Sequence, residues 1–547
     1  MSALLFKRVL PRYQQHIIKK STTIRLFNSS QQLDAIVVGA YTDGKNVVFP
    51  ATKDISTSTQ SLITEQLKVS NFKKAGDVRL LYNVGGIQQV AVVSLGPEPK
   101  VKKGNNNPIT QRAHLFELAR NTTALGIQAL KDRKVKTIGV DVSLSSHGAS
   151  EGAVLAQFSF DKLKAEKSRQ VGIQVTPFST TLDQNMEQQT NLNWESGQIY
   201  GTSQNLARML MTTPSNLMTP KLFSEEVAYL LAGLENTEVI VHDEEWAVKN
   251  NMNSFLAVAK GSTEPLRFLE IRYNGGNPND KPFGLVGKGV TFDSGGISLK
   301  PSNNMALMKG DMGGAATVAG AMYGIIKMGL PVNVVAVTPL CENLPSGRAT
   351  KPGDVIKAMN GKSIEVIDTD AEGRLILADA LYYLSSTYSP KSIIDLATLT
   401  GAMDVALGEV YAGVFTNSDQ LWRDLNVAGE LTSDPFWRMP LHDGYLKEMQ
   451  QSNVADLNNL GKGRSGGACS AAAFLKEFVA GLESDHQDNE QENDNGEGEK
   501  KVDWAHIDIA GVMDSQSTQG YHIKGMSGRP TRSLIEYIRL GSNSVKQ

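Results

Sequence analysis

Four carboxylates stand in glycine-rich or turn-like settings beside the ends of apolar runs. Asp293 lies in Thr-Phe-Asp-Ser-Gly-Gly, Asp311 in Lys-Gly-Asp-Met-Gly-Gly, and Asp370 with Glu372 in Asp-Thr-Asp-Ala-Glu-Gly-Arg. Carboxylates gathered at one point repel, so bound cations are the natural way to keep them ionised. Asp370 and Glu372 are two apart, which on an extended segment turns both side chains the same way. Four such groups carry -4 and two divalent ions +4, a balance that fits a dinuclear site clamping attacking and leaving oxygens. Ligation by oxygen without His or Cys suits Mn²⁺ and Mg²⁺ as well as Zn²⁺. Bases are interleaved with these acids. Lys288 sits between two glycines on an apolar run, where it must be neutralised, paired or used as a ligand. Lys300 is placed to polarise a substrate carbonyl, and Arg374 to hold an anion in its planar fork; ordinary ion pairing is the alternative for both.

These residues need a scaffold that brings separate loops together. Short runs rich in Val, Ile and Leu alternate with helical segments along most of the chain, which predicts an α/β fold of two domains, each with a mostly parallel sheet flanked by helices. The first domain, residues 34–195, contains strand-like runs beginning at Asp34, Val78, Val90 and Thr137 and a helix from Ile109 to Leu130. A helix from Leu192 to Met211 spans the expected boundary. The second domain, residues 196–547, has candidate buried strands at Phe283–Phe292, Val332–Val337 and Ile393–Ala397, and helices at Gly313–Met328 and Leu375–Leu384. The Gly- and Ala-rich composition of Gly313–Met328 suits very close packing. In open α/β sheets a ligand site forms where loops converge at the carboxyl ends of strands.

The 547 residues hold 40% hydrophobic and 20% charged side chains, a globular balance that excludes a disordered or fibrous chain. A net charge of -2 offers no basic excess for nucleic acid. Cys341 and Cys469 alone exclude a disulfide scaffold and a multi-cysteine zinc site. No apolar run approaches the roughly 20 residues that span a bilayer, so no membrane span is expected. The chain has neither a G-x-x-x-x-G-K-[ST] loop nor H-E-x-x-H. Gly148-Ala-Ser150-Glu-Gly152 matches a serine nucleophile elbow formally, but so short a pattern arises readily by chance and a helix-start turn is the favoured role.

Residues 1–33 carry Lys7, Arg8, Arg12, Lys19, Lys20 and Arg25 among apolar residues, with Asp34 the first acid. This reads as a mitochondrial transit peptide, with a cytoplasmic protein bearing a basic tail as the alternative. Glu483 to Lys501, acidic and without an apolar anchor, reads as a solvated, disordered loop.

The motifs also resemble a known family. Asp368-Thr-Asp-Ala-Glu-Gly-Arg-Leu375 is similar to the signature of the leucyl, or cytosol, aminopeptidases. So are Val286–Gly296, Asp311–Ala316, Ala397–Ala402 and Gly467–Phe474, in the same order. The resemblance implies a metal-dependent exopeptidase acting on peptides, with Lys288, Asp293, Asp311, Asp370 and Glu372 binding two ions, Zn²⁺ or Mn²⁺. It implies that Asp293 and Glu372 bridge the ions and that Lys288 binds as a neutral amine. Lys300 would stabilise the oxyanion and Arg374 would hold a bicarbonate acting as general base. The substrate's free amine would meet Asp311, and the first side chain would enter a pocket of Met308, Thr398, Gly401, Ala510 and Met513. It also implies a homohexamer. One position departs from the signature: the family's Asn is Asp368 here, a charge that either tightens cation binding or disturbs the loop. A catalytically weak homologue that keeps the fold, and a serine hydrolase at Ser150, are the competing readings.

Overall fold

The computed structural model describes residues 33–543, apart from 44, 51–54, 99–106, 179–189, 462, 464 and 483–501. The basic leader and the acidic stretch fall outside the described residues. The chain divides into two compact units, one of Met1–Thr202 with Ser517–Ile523, the other of Ser203–Gln516 with Lys524–Gln547. Each is α/β, as the alternation of the sequence requires.

In the first unit, β1 (Ala35–Thr42), β2 (Val47–Val48), β3 (Val78–Val84), β4 (Ile87–Gly96), β5 (Thr137–Val140) and β6 (Gln174–Pro177) form a sheet ordered β3-β4-β1-β5-β6, with β2 on β1. The pairs β1–β4, β1–β5 and β5–β6 are parallel. Every residue of β1 is buried. Alternation explains it: Ala35 and Val37 join the core under α2 (Pro108–Leu130), while Ile36, Val38 and Ala40 join that under α1 (Thr57–Val69). Ser150 is fully buried inside α3 (Ser146–Ala156), whose N-cap is Ser145. A nucleophile elbow needs an exposed serine on a sharp turn, so that geometry is missing.

The second unit carries β7 (Thr237–His242), β8 (Arg267–Asn274), β9 (Phe283–Gly287), β10 (Gly289–Asp293), β11 (Asn333–Asn343), β14 (Ser392–Ala397), β15 (Ala412–Thr416), β16 (Phe436–Arg438) and β18 (Asp503–Asp508). Their order is β16-β15-β18-β14-β9-β11-β8-β7, with β10 beside β11. A separate small sheet joins β12 (Val355–Lys357), β13 (Ser363–Glu365) and β17 (Leu457–Asn458). The central pairs are parallel and antiparallel strands lie toward the edges.

Helix α4 (Gly313–Lys327) packs on one face at backbone distance. A Cβ on Gly314 would lie 2.1 Å from the Leu396 carbonyl oxygen, and one on Gly287 would lie 2.7 Å from Ala315 Cα. Helix α5 (Gly373–Tyr388) covers the other face, burying Leu375, Ile376 and Leu381 with Val286, Ile393 and Trp504. The run Phe283–Phe292 is not one strand. It breaks at Lys288, whose N–H donates to the Leu396 carbonyl at 2.9 Å while its own carbonyl accepts from Ala315 N–H at 2.8 Å. The backbone at Lys288 is thus shared between β14 and α4, and β10 resumes beside β11 alone.

Candidate metal centre

Asp293 ends β10, and the chain turns at once through Gly295 and Gly296, both at positive φ. The turn is tied to the end of β11: Ser294 N–H and Oγ both donate to the Asn343 carbonyl, at 3.0 and 2.8 Å. Asn343 Nδ2 donates to Asp293 Oδ1 at 2.8 Å and to the Thr369 carbonyl at 3.0 Å, joining the first acidic loop to the one bearing Asp370. In that second loop Asp368 Oδ1 accepts from Asp370 N–H at 2.9 Å, a local turn that needs only an oxygen. Asp368 therefore forms the turn an Asn would form. Glu372 stands at the N-terminus of α5 without a side-chain capping bond, where a carboxylate suits the helix dipole. Asp311 follows a short 3-10 helix (Met305–Gly310) and is fixed by Thr398, whose hydroxyl donates to Oδ1 at 2.8 Å.

One oxygen each from Asp293, Asp370 and Glu372 lie within 4.8 Å of one another. Two lysines stand between the acids. Lys288 Nζ is 2.8 Å from Asp311 Oδ2 and 2.9 Å from Glu372 Oε1, while Lys300 Nζ is 2.8 Å from Asp293 Oδ2 and 2.5 Å from Asp370 Oδ1. By distance these are ion pairs, yet Asp311 Oδ2, Asp370 Oδ1 and Glu372 Oε1 have no hydrogen-bond partner of good angle. Buried oxygens with unspent lone pairs fit a cation.

Burial, together with Asp293 beside them, raises the carboxyls of Asp311, Glu372 and Asp370, against the lowering pull of the lysines. Burial would lower the lysines, but the carboxylates win and both are held protonated. As a cation ligand Lys288 would have to give up that proton, which its carboxylate neighbours by themselves do not favour.

Arg374 is buried just behind Glu372. Burial brings its guanidinium down to about 10, with Glu372, Asp508 and Asp368 opposing, and its Nε and Nη1 have no partner. Two unmet donors fit an oxyanion.

Three of the expected pocket residues, Met308, Thr398 and Met513, lie beside Asp311 or the short helix before it. Thr398 touches Asp311, and a Cβ on Gly310 would lie 3.5 Å from Met513 Sδ, with Met308 on the same short helix. Asp508 accepts from Leu399 N–H, the Thr400 hydroxyl and Ala510 N–H, so it fastens the segment entering Gly401 to Ala510. Asn343 and Asn459 carry no sequence motif, yet both bind the loop that bears Asp370.

An acidic centre of this kind at the strand ends of an α/β sheet is that of a metal-dependent hydrolase. Residues 205–535 match the catalytic-domain model of the cytosol aminopeptidase family, and residues 37–167 match its N-terminal-domain model. The cytosol aminopeptidase of Dictyostelium discoideum is 43% identical over 97% of this chain and 98% of its own length. That of Homo sapiens is 43% identical over 94% of each. The solved structure of the bottromycin maturation enzyme BotP in complex with Mn aligns with a TM-score of 0.74 at 29% identity, covering 93% of this chain and 100% of that one. The chain belongs to the cytosol aminopeptidase family of metallo-exopeptidase hydrolases. No helix among the described residues is long and apolar enough to cross a membrane.

Proposed function

We propose that this aminopeptidase releases N-terminal residues, Leu and other apolar ones, from peptides at a centre for two divalent cations, Zn²⁺ or Mn²⁺. The observation that carries this reading is the meeting of Asp293, Asp370 and Glu372 within 4.8 Å, with Asp311 joined to Glu372 through Lys288. Lys288, Asp293, Asp311, Asp370 and Glu372 would hold the ions, Asp293 and Glu372 being shared by both. Bound there, such ions polarise a peptide carbonyl and lower the pKa of water.

The remaining steps belong to the chain. Asp311 meets the substrate's free amine, which restricts cleavage to the first peptide bond. Lys300, 22% exposed and thus open to a ligand, donates to the oxyanion that develops on the carbonyl. Arg374 anchors bicarbonate by its two unmet donors, and the anion supplies a general base. Met308, Thr398, Gly401, Ala510 and Met513 receive the first side chain, their apolar surface favouring Leu over charged residues. The same reading carries a homohexamer, checked by sedimentation, and a mitochondrial location directed by residues 1–33, checked by fusing residues 1–35 to a fluorescent reporter. Hydrolysis of leucine p-nitroanilide against N-acetyl-leucine p-nitroanilide tests the function itself. Cleavage of the free-amine substrate alone is expected, and equal cleavage of both overturns the exopeptidase reading.

A further inference from the structure

Asn459 is fully buried, and its side chain makes four hydrogen bonds to the backbone of the loop that carries Asp370 and Glu372. Oδ1 accepts from Ile367 N–H at 2.7 Å and Asp368 N–H at 3.2 Å. Nδ2 donates to the Asp368 carbonyl at 2.6 Å and the Ala371 carbonyl at 3.3 Å. These contacts span the loop from its entry to the residue before Glu372. Two N–H groups and two carbonyls converging on one side chain require an amide. A carboxylate would set an oxygen against two carbonyls, and a hydroxyl has one proton and less reach.

The small sheet puts Asn459 there. Strand β17 runs parallel to β13 with Leu457 opposite Ile364 and Asn458 opposite Glu365, and Asn459 N–H continues the ladder to the Glu365 carbonyl at 3.0 Å. Side chains fix that register. Asp456 Oδ2 accepts from Ser363 N–H at 2.7 Å, Asp456 N–H donates to Ser363 Oγ at 3.0 Å, and the Ser452 hydroxyl donates to Glu365 Oε2 at 2.5 Å. The segment is thus docked beside the acidic loop before Asn459 reaches into it. The loop's far side is tied by Asn343 to Asp293, so Asp370 and Glu372 are held relative to Asp293 from both sides.

We propose that Asn459 is a positioning residue that sets the spacing of Asp370 and Glu372 for cation binding, an inference that rests on the metal centre proposed above. Groups that orient ligating carboxylates through hydrogen bonds typically change metal affinity by about 10- to 100-fold when lost. Asn333 supplies a matched control. Its Nδ2 donates to the Asn277 and Asp280 carbonyls and its Oδ1 accepts from Gly276 N–H, so it clasps a loop at the opposite end of β11 from Asn343.

The test is calorimetric Mn²⁺ titration of the metal-depleted full-length protein. Asn459→Asp is expected to raise the Mn²⁺ Kd about 10-fold or more. Asn333→Asp should leave it unchanged while lowering the metal-free Tm comparably. If Asn459→Asp does not fold, Asn459→Ser, which keeps one donor and one acceptor, is judged by the same standard. An unchanged Kd in the Asn459 variant, or an equal rise in the Asn333 control, overturns the proposal provided that Glu372→Ala loses Mn²⁺. If Glu372→Ala binds as the native chain does, the metal reading itself is at fault.

Discussion

Gly373 makes room for Lys288: a Cβ at position 373 would lie 2.6 Å from Lys288 Cε and 2.8 Å from its Nζ. The lysine cannot step aside without loss, because it is buried and its ammonium meets Asp311, Glu372 and the Thr398 carbonyl. Yet residue 373 begins α5, where Ala is a better helix former than Gly by about 1 kcal/mol. The helix-propensity gain offsets part of the clash, so Gly373→Ala should change Tm little while losing about 100-fold in kcat/KM, the cost of shifting a site group by an ångström. Thermal melts beside peptidase assays check this; wild-type turnover in the variant would show that Lys288 has slack.

Asp368 supplies an oxygen to Asp370 N–H, and an asparagine supplies the same oxygen. Asp368→Asn should leave kcat/KM within about threefold, the remaining difference reflecting the lost charge, which presses the Asp370 carboxyl upward together with burial and Asp293. Asp368→Ala removes the acceptor and should cost about 1 kcal/mol and about tenfold in Mn²⁺ affinity. Steady-state kinetics and metal titration of the pair check it. Activity appearing only in the Asn variant would favour an inactive homologue.

The two-unit α/β architecture was legible because continuous apolar runs alternate with helical segments; β1, buried on both faces, shows the signal at its clearest. The acidic centre was legible because Asp293 precedes a double glycine that must turn, and because Asp370 and Glu372 share a short motif. Less visible was the break at Lys288. Its cause is hydrogen bonding to Leu396 and Ala315, partners far away in sequence. Asn459 was hidden for the same reason: it lies 91 residues from the Asp368 carbonyl it holds, and nothing in its immediate neighbours marks it.

Glu270 offers a prediction about stability away from the metal centre. Burial raises its carboxyl, but donation from His242, Tyr388, Tyr383 and Arg272 overcomes this and brings it down to about 2. Tyr383 donates at 2.9 Å and Arg272 Nε at 2.6 Å. A carboxyl lowered from 4.5 contributes stability that is complete above pH 4.5 and is lost as pH falls toward 2. Glu270→Gln should thus cost about 2–3 kcal/mol at pH 7, with a gap to the native chain that narrows below pH 4.5. Denaturant melts at pH 7, 4 and 3 check the trend; a gap that widens on acidification would contradict it.

Arg374 has two buried donors to spare. If they hold bicarbonate, added bicarbonate should accelerate the native enzyme after depletion of dissolved carbonate. Arg374→Ala should turn over about 100-fold more slowly and ignore the addition. A bicarbonate response that survives in the variant would place the anion elsewhere.

On the proposed function, carboxylates from separate loops meet in order to share a pair of cations. Metal content measured by elemental analysis, on the same sample assayed with leucine p-nitroanilide before and after dialysis against a chelator, tests it most directly. Two ions per chain, turnover lost with them and regained on adding Mn²⁺ or Zn²⁺, is the expected result. Full turnover in a chain stripped of metal would contradict the account.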